Sequence, residues 1–376
     1  MSFKSRACVF ILSLVLIFSF VTPPLDISAQ MSVSAHSAIL MDADSGMVML
    51  EKNAHKRMGM ASTTKIMTAL TVLRLCDVSK TVSIPREAIQ TEGSSVYLCE
   101  GEQMTIEQLL YALLLASAND AAVALAVTVC GSVERFADQM NAYAEELGLS
   151  DTHFTNPHGL AEDDHYTTAY DLAIISKKAL ESELLRGIFS TYKHEIPFNG
   201  EPNKRLVVNH NKLLRSYDGA IGIKTGFTKS TGRCLVSAAE REGLTLICVT
   251  LNAPDDWRDH SSMLNYGFEN YTRCVFANAG EFFYSVPVTG ADCESVTLTN
   301  AKPLALTIRK GDEENVACTV YSSYRFVYAS VNKGTVYASV SFEYKGAYAV
   351  SPLVASDTIH ESERGASLWQ RLFKKD

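Results

Sequence analysis

The feature that most constrains the fold is a helical block that separates two groups of strands. SAILMDADSGMVMLEKNA is typical of two short strands around a turn at 44–46, and CLVSAAEREGLTLICVTL of a hairpin that turns at 242–243. Between them, a helix over 62–75 precedes further helices that run to Gly148. This order predicts an α+β fold with a mainly antiparallel sheet, because a parallel sheet would need strands and helices in alternation.

The helical block contains its own boundary signals. Thr105 followed by Gln108 forms a capping-box pattern at the start of the helix MTIEQLLYALLL. The triplet Ser117–Asn119 interrupts the apolar run, so we expect one helix to end there and a second to begin. A third helix, in SVERFADQMNAYAEELG, is amphipathic and should stop at its final glycine.

The chain changes character after about residue 275. PLALTIRKG and GTVYASVSFEYKG alternate apolar and polar residues with period two. Two sets of residues should each face one way: Leu304, Leu306 and Ile308, and Val336, Ala338, Val340 and Phe342. We therefore expect a β-rich domain over 276–355 behind a larger domain over 36–275, with a linker and short tail over 356–376.

The N-terminus has the pattern of a secretory signal peptide over 1–35. The basic start MSFKSR precedes the apolar run ACVFILSLVLIFSFV, and small residues then offer cleavage after Ala29 or Ala35. The run is shorter than the roughly 20 residues that a membrane span needs, although an uncleaved anchor is the alternative. The sequence thus predicts an exported, extracytoplasmic protein, in the cell wall or on the outer face of the cytoplasmic membrane.

The C-terminal segment SLWQRLFKKD is amphipathic. In a helix, one side would hold Leu368, Trp369, Leu372 and Phe373, with Arg371, Lys374 and Lys375 beside them. This pattern predicts weak contact with a membrane surface, and a frayed end packed on the β-rich domain is the alternative.

Composition argues against several other partners. There are 34 Lys and Arg residues against 42 Asp and Glu, a net charge of −8, so we expect no binding of nucleic acid, which requires a basic face. No CxxC pair occurs, so neither a zinc knuckle nor a redox motif is indicated. A loop, DTHFTNPHGLAEDDHY, gathers His153, His158 and His165 near Asp163 and Asp164. Their spacing fits no zinc pattern, so a structural loop is the preferred interpretation and no metal or organic cofactor is predicted.

A serine and a lysine stand three positions apart in MASTTKIMTAL. On a helix this spacing puts the amine of Lys65 beside the hydroxyl of Ser62. Serine is a weak nucleophile until a base takes its proton, and lysine can be that base when crowding and burial lower its pKa. A helix start with a polar cap is the alternative explanation.

Two further motifs follow in order. Ser117-Ala118-Asn119 lies at the helix break, and Lys224-Thr225-Gly226 lies on the extended segment AIGIKTGFT. Each is weak alone, because the first is more often a cap and the second a turn. Their order after Ser62 and Lys65 matches the set S-x-x-K, S-D-N and K-T-G of class A β-lactamases and penicillin-binding proteins, with alanine in the middle of the second motif.

The chain resembles the serine D-alanyl-D-alanine carboxypeptidases, peptidase family S11, which are the low-molecular-mass penicillin-binding proteins of the bacterial cell wall. The segments that carry the resemblance are ASTTKIMTAL, LLLASANDAAVALA, HFTNPHGL, YTTAYDLAIIS and GIKTGFTKSTGRCLVSAAER, and it covers about 36–275. It implies a β-lactamase/transpeptidase-like domain, and the β-rich region behind it is similar to the family's usual second domain.

The resemblance also implies a role for each motif residue. Ser62 would be the nucleophile, Lys65 its base, Ser117 the proton relay and Asn119 the holder of Lys65 and the substrate amide. Lys224, Thr225, Gly226 and Arg258 would bind the substrate, with the terminal carboxylate at Thr225 and Arg258. The backbone N–H groups of Ser62 and Phe227 would form the oxyanion hole. The substrate would be the D-Ala-D-Ala end of a peptidoglycan stem peptide, and β-lactam antibiotics such as penicillins would acylate the same serine.

Two other functions are compatible with these motifs. The first is a serine β-lactamase, which shares the acyl chemistry. The missing Glu-x-x-Leu-Asn motif between residues 119 and 224, and the extra β-rich region, argue against it. The second is a wall-binding protein without turnover, which would have no need for Ser62, Lys65 and their partner motifs together.

Overall fold

The computed structural model describes residues 32–198 and 204–362. These residues belong almost entirely to one compact unit that begins at Val33. The predicted signal peptide, up to residue 31, and the amphipathic tail after residue 362 lie outside the described residues. Within the described part of the chain, no helix combines the length and hydrophobicity needed to cross a bilayer.

Nine α-helices occur in the described residues. They are α1 (Lys65–Leu75), α2 (Arg86–Ile89), α3 (Ile106–Leu115), α4 (Asn119–Cys130), α5 (Val133–Glu146), α6 (Ala169–Leu180), α7 (Glu183–Ser190), α8 (Leu213–Ser216) and α9 (Asp256–Asn270). Two short 3₁₀ turns, Ala61–Thr64 and Glu313–Asn315, accompany them.

The strands fall into an earlier and a later group. The earlier strands are β1 (Ser37–Asp42), β2 (Val48–Lys52), β3 (Thr81–Ser83), β4 (Gln103–Thr105), β5 (Lys193–Pro197), β6 (Lys204–Val208), β7 (Ala220–Thr228), β8 (Gly232–Arg241) and β9 (Leu244–Leu251). The later strands are β10 (Tyr271–Ala277), β11 (Phe283–Thr289), β12 (Ser295–Asn300), β13 (Leu304–Arg309), β14 (Ala317–Tyr321), β15 (Val327–Tyr328), β16 (Val336–Tyr344) and β17 (Ala347–Ala355).

The main sheet confirms the predicted α+β fold. Its five strands have the order β2-β1-β9-β8-β7, and every neighbouring pair is antiparallel. The predicted hairpin joins β8 to β9 at Glu242 and Gly243, both with positive φ. β1 pairs with β9 although the helical block separates them, so the first and last strands of this part of the chain meet at the centre of the sheet.

The helical block packs as the boundary signals predicted. The Thr105 hydroxyl accepts from the Gln108 N–H at 3.2 Å, and the Gln108 side chain accepts from the Thr105 N–H at 2.8 Å, which completes the capping box. α3 ends at Leu115 and α4 begins at Asn119, so the apolar run breaks at the predicted triplet. A continuous apolar core fixes these helices on the sheet, and Leu113, Leu125 and Phe136 are fully buried in it.

The later strands form a six-stranded sheet in the order β14-β16-β17-β12-β11-β15, and β10 pairs separately with β13. The prediction for β13 is confirmed, because Leu304, Leu306 and Ile308 are all buried. The prediction for β16 is wrong at Val336, which is 54% exposed. A register shift between Val336 and Ala338 turns the start of the strand away from the core. The division into domains at 275 and 355 stays a prediction.

Candidate active site

Ser62 lies in the 3₁₀ turn Ala61–Thr64, which leads directly into α1. The turn puts the Ser62 hydroxyl 3.0 Å from Nζ of Lys65, the first residue of the helix. Ala61 has a φ of +48°, which is uncommon for a residue with a side chain. Gly159 packs against it so closely that a Cβ there would lie 2.0 Å from the Ala61 carbonyl oxygen. This packing fixes the backbone immediately before Ser62.

The amine of Lys65 is fully buried and has three oxygen neighbours, none of them charged. Nζ lies 3.0 Å from Oγ of Ser62, 2.8 Å from Oδ1 of Asn119 and 2.6 Å from the carbonyl oxygen of His158. Burial lowers the pKa of Lys65 well below its ordinary value, and the charge of Lys224 lowers it further. A neutral Lys65 has a lone pair toward which Ser62 can donate its proton.

Asn119 connects the lysine to a neighbouring loop over 92–98. Its Nδ2 donates to the carbonyl of Glu92 at 2.6 Å, and its backbone N–H donates to the carbonyl of Ser94 at 2.7 Å. Because Glu92 holds the side-chain Nδ2 and Ser94 holds the backbone N–H, the remaining side-chain atom, Oδ1, faces Lys65. The start of α4 therefore orients an uncharged acceptor, Oδ1 of Asn119, toward the amine of Lys65.

Asp120 anchors the same loop. Its side chain is 2% exposed and accepts from the Ser95 hydroxyl and from the backbone N–H groups of Val96 and Leu98. Its negative charge partly opposes the lowering of the pKa of Lys65. Asp120 was not among the residues predicted from the sequence. The available signal was an acidic side chain inside the apolar run SANDAAVALAV.

Ser117 lies in the connection between α3 and α4, with a φ of +59°. Its side chain is only 5% exposed, and within the described residues its hydroxyl forms no hydrogen bond. The segment that contains Ser117 is connected to Lys65 through Asn119, two residues further along the chain, whose Oδ1 accepts from Nζ of Lys65. The hydroxyl is therefore available to a bound molecule.

Lys224 projects from β7, the last strand of the main sheet. Its side chain is buried, and Nζ donates to the carbonyl of Thr225 at 2.8 Å. Burial lowers the pKa of Lys224 to about 7. Gly226 lets this strand approach the nucleophile, because a Cβ there would lie 3.0 Å from the backbone nitrogen of Ser62. The structure therefore brings the first and third motifs into contact.

Thr225 and Phe227 point to the opposite side of β7 from Lys224, because side chains alternate along a strand. The side chain of Phe227 is 63% exposed and that of Thr225 is partly buried. Arg233 on β8 is directly opposite Phe227 in the strand register. The end of β7 therefore combines an exposed aromatic ring with a cation on the neighbouring strand.

The two arginines near this edge differ in their contacts. Arg233 donates to the carboxylate of Asp256 at 2.9 Å, and its guanidinium lies 5.9 Å from the ring centre of Trp257. Arg258 is exposed on α9, and among the described residues its side chain forms no hydrogen bond or ion pair. Arg258 was predicted from the sequence as a site residue and stays a prediction, whereas Arg233, seven residues after Gly226 at the start of the next strand, was not singled out.

The segment that begins with HFTNPHGL is hydrogen-bonded through His165 to the 3₁₀ turn that contains Ser62. The backbone N–H of Thr155 donates to Nδ1 of His165, so the proton of this ring is on Nε2, which donates to the Thr64 hydroxyl at 2.8 Å. That hydroxyl donates to the carbonyl of Ala61 at 2.8 Å. Burial lowers the pKa of His165 to about 4, so the ring stays neutral in this chain of hydrogen bonds.

The histidines of this loop have separate partners. Nδ1 of His153 contacts the carbonyl oxygen of Asp164, whereas Nδ1 of His158 accepts from the N–H of Leu160. Burial lowers the pKa of His158 to about 3. In the part of the chain that the structure describes, no three His, Cys, Asp or Glu side chains converge as metal ligands.

Comparison with known proteins gives a consistent result. Residues 25–255 match the model of the Peptidase_S11 family, described as D-alanyl-D-alanine carboxypeptidase. The D-alanyl-D-alanine carboxypeptidase DacF of Bacillus subtilis is 31% identical over 344 residues, which cover 89% of this chain and 88% of DacF. DacA of Escherichia coli is 31% identical over 332 residues, covering 84% of this chain and 80% of DacA.

Solved structures extend the similarity to the later strands. A peptidoglycan synthesis regulatory factor (PBP3) from Streptococcus pneumoniae has a TM-score of 0.76 at 25% identity, over 88% of this chain and 100% of that chain. Penicillin binding protein 5 from Haemophilus influenzae has a TM-score of 0.71 at 28% identity, over 88% of this chain and 98% of that chain. The similarity therefore includes most of the chain.

Proposed function

The chain belongs to the Peptidase_S11 family of D-alanyl-D-alanine carboxypeptidases, and on that premise we propose that it hydrolyses the bond between the last two D-alanines of peptidoglycan stem peptides. The observation that carries this proposal is the buried amine of Lys65, 3.0 Å from the Ser62 hydroxyl and surrounded by uncharged oxygens. A serine with its own neutral base can form an acyl-enzyme without a metal or an organic cofactor.

The proposed reaction has two halves. Oγ of Ser62 attacks the carbonyl of the penultimate D-alanine while Nζ of Lys65 takes its proton, and the backbone N–H groups of Ser62 and Phe227 stabilise the oxyanion. As the C–N bond breaks, the proton held by Lys65 passes through the hydroxyl of Ser117 to the leaving amine, and D-alanine departs. Water then attacks the acyl ester while Lys65 accepts its proton, and this proton passes to Oγ of Ser62 as the ester bond breaks and the shortened peptide leaves.

The terminal carboxylate of the substrate should bind beyond the scissile bond, along the part of β7 that contains Lys224 and Thr225. A charged Lys224 supplies the attraction, and Gly226 permits the close approach of the strand to Ser62. Arg258 was the arginine that the family resemblance suggested for this carboxylate. The cross-strand position of Arg233 opposite Phe227 supports Arg233 instead, so the two arginines are rival candidates for one role.

Inhibition by β-lactams follows from the same chemistry. Penicillins imitate the D-alanyl-D-alanine end, so they should acylate Ser62, and the resulting acyl-enzyme should hydrolyse slowly. A serine β-lactamase would release the drug rapidly, and a wall-binding protein without turnover would show neither acylation nor hydrolysis. The buried Lys65 and its contacts favour the carboxypeptidase over the binding protein, and the family membership favours it over the β-lactamase.

Two proposals on location depend on residues outside the described ranges. The signal-peptide pattern supports export, and the similarity to a solved structure described as a peptidoglycan synthesis regulatory factor supports action outside the cytoplasm. The amphipathic pattern after residue 362 supports weak membrane contact. Nucleic acid is not proposed as a partner, since the chain carries a net charge of −8.

The direct test is incubation of the purified protein with Nα,Nε-diacetyl-L-lysyl-D-alanyl-D-alanine. Free D-alanine should appear, and the same peptide ending in L-alanine should remain intact. A parallel incubation with benzylpenicillin should consume about one equivalent and then stop. Rapid continuous hydrolysis of penicillin without D-alanine release would instead support the β-lactamase.

A further inference from the structure

The backbone N–H of Ser62, one of the two proposed oxyanion donors, has no acceptor within the protein. Among the described residues it donates to no carbonyl and to no side chain, whereas the N–H of the next residue, Thr63, donates to the carbonyl of Met60 at 3.3 Å. The direction of the Ser62 N–H is therefore not set by a partner of its own. It must be set by the peptide unit that carries it.

That peptide unit joins Ala61 to Ser62. A trans peptide unit is planar, so its carbonyl and its N–H point in opposite directions. A contact that fixes the carbonyl of Ala61 therefore also fixes the N–H of Ser62. The φ of Ala61 is +48°, which is uncommon for a residue with a side chain, so surrounding contacts must hold this orientation.

The carbonyl of Ala61 ends a chain of three hydrogen bonds whose directions are all defined. The backbone N–H of Thr155 can only donate, so Nδ1 of His165 accepts from it and the ring proton is on Nε2. Nε2 donates to the hydroxyl of Thr64 at 2.8 Å, and that hydroxyl donates to the carbonyl oxygen of Ala61 at 2.8 Å. Each group thus accepts from the one before it and donates to the next, up to the peptide that carries the Ser62 N–H.

The chain is closed to solvent. Thr64 is fully buried and His165 is 5% exposed. A Cβ on Gly159 would lie 2.0 Å from the carbonyl oxygen of Ala61 and 2.8 Å from Oγ1 of Thr64, so the loop packs tightly around this contact. Water therefore has no room to replace the Thr64 hydroxyl if it is removed.

We propose that His165 and Thr64 are positioning residues of the oxyanion hole, which orient and polarise the N–H of Ser62 through the carbonyl of Ala61. The inference rests on the proposed carboxypeptidase function. Hydrogen bonds that run in one direction polarise one another, so the donor at the end of the chain is strengthened as well as oriented. The negative oxygen that it meets exists only in the transition state, so the chain should accelerate acylation without tightening the binding of the substrate.

Thr64→Val tests the proposal, because it removes the hydroxyl and keeps the shape of the side chain. Stopped-flow labelling with a fluorescent penicillin gives the acylation rate constant and the dissociation constant of the complex that precedes acylation. The rate constant should fall about 10- to 100-fold, less than the roughly 100- to 1,000-fold loss caused by removal of an oxyanion donor, and the dissociation constant should stay nearly unchanged. Thr64→Ser keeps the hydroxyl and should restore most of the rate.

Thr71→Val is the matched control. Thr71 is also buried on α1, and its hydroxyl donates to the carbonyl of Met67 at 2.9 Å, within the same helix. This variant should acylate at the wild-type rate. Thermal unfolding must show that each variant is folded, and Thr64→Ala replaces Thr64→Val if valine prevents folding.

Variants of His165 test whether the two residues act as one chain. His165→Phe should slow acylation, and His165→Gln, whose amide nitrogen reaches about as far as Nε2, should restore part of the rate. Because His165 acts through the hydroxyl of Thr64, the double variant with Phe at 165 and Val at 64 should be no slower than Thr64→Val alone. Losses that multiply in the double variant would show that the residues act independently and would overturn the chain.

The pH profile separates this role from an effect on the base. The same loop accepts from Nζ of Lys65 through the carbonyl of His158 at 2.6 Å, so a displaced loop would disturb Lys65 as well. The proposal predicts that Thr64→Val lowers the acylation rate by the same factor at every pH and leaves the acidic limb in place. A shifted acidic limb would assign the effect to Lys65 and overturn the proposal.

Failure of the proposed function would give a different result. If the wild type neither releases D-alanine nor forms a penicilloyl adduct, the carboxypeptidase function itself is wrong. If the wild type is active and Thr64→Val acylates at the wild-type rate, the positioning role is overturned while the function stands.

Discussion

Lys65 and Asn119 are joined by a hydrogen bond of 2.8 Å between Nζ and Oδ1, although 54 positions separate them in the chain. The contact couples the first two motifs. Its acceptor is an amide, which holds the amine in place without adding a charge that would favour the ammonium form. A carboxylate of the same shape would hold the amine equally well but keep it protonated.

This relationship predicts the result of Asn119→Asp. The new carboxylate should raise the pKa of Lys65, so the fraction of neutral base at pH 7 falls. Once the pKa exceeds the working pH, each further unit lowers that fraction about tenfold, so we expect acylation by penicillin to slow at pH 7 and more strongly at lower pH. The rate should recover in part as the pH is raised, which stopped-flow labelling with a fluorescent penicillin can measure.

Two further variants provide a control and a lower limit for that rate. Asn265→Asp makes the same amide-to-acid change at an exposed position of α9 and should leave acylation unchanged. Lys65→Arg stays charged at every accessible pH and should define the lower limit of the rate. Acylation at the wild-type rate in Asn119→Asp at pH 7 would show that a neutral Lys65 is not needed.

Features made by neighbouring residues could be predicted from the sequence. The capping box of Thr105 and Gln108 and the hairpin turn at 242–243 depend on contacts within a few positions, so the local pattern contains the information. The motif spacing pointed to Ser62 and Lys65 for the same reason, since their contact lies within one helical turn.

Contacts between distant backbone groups could not be predicted in this way. The carbonyl of His158, which accepts from Lys65, has no side-chain signature, because every residue carries a carbonyl. Val336 was misassigned because the register shift in β16 is set against β17, a partner strand that alternation within β16 does not reveal. The position of Arg233 opposite Phe227 could not be read from the sequence, because it comes from strand pairing.

The pH dependence of kcat/KM should be bell-shaped, because the titration of Lys65 sets the acidic limb and that of Lys224 sets the alkaline limb. Lys65 must be neutral to act, so kcat/KM should fall as the pH drops below its lowered pKa. Lys224 must be charged to attract the substrate carboxylate, so kcat/KM should also fall as the pH rises above about 7, where burial puts the pKa of this lysine.

The two kinetic parameters should differ on the alkaline side. A bound carboxylate favours the ammonium form of Lys224, so the alkaline limb of kcat should lie at higher pH than that of kcat/KM. Rates of D-alanine release between about pH 5 and 10 give both profiles. Alkaline limbs that coincide would mean that Lys224 does not meet the substrate carboxylate.

The rival arginines can be separated by paired substitutions. Arg233→Ala should raise KM for the peptide about tenfold or more, as expected for the loss of a charge-assisted hydrogen bond, while Arg258→Ala should change it little. Arg233→Lys keeps the charge and should restore part of the affinity. Because Arg233 also pairs with the buried Asp256, thermal unfolding must show that each variant is folded. A larger effect at Arg258 would return the role to that residue.

The amphipathic pattern of the C-terminal segment SLWQRLFKKD predicts weak and salt-sensitive binding to anionic liposomes. The processed protein, beginning near residue 36, should float with such vesicles at low salt, and removal of residues 366–376 should abolish flotation. Vesicles of neutral lipid are the control, since the basic residues gain little from them. If the shortened protein floats equally well, the tail is not the anchor, and an uncleaved N-terminal segment becomes the candidate.

The identity of the nucleophile is the centre of this account, and intact-protein mass spectrometry after incubation with benzylpenicillin tests it most directly. The wild type should gain the mass of one penicilloyl group, and peptide mapping should locate it on Ser62. Ser62→Ala should remain folded and gain no mass, since covalent catalysis has no substitute for its nucleophile. An adduct that persists in Ser62→Ala, or that maps to any other residue of the wild type, would contradict the account.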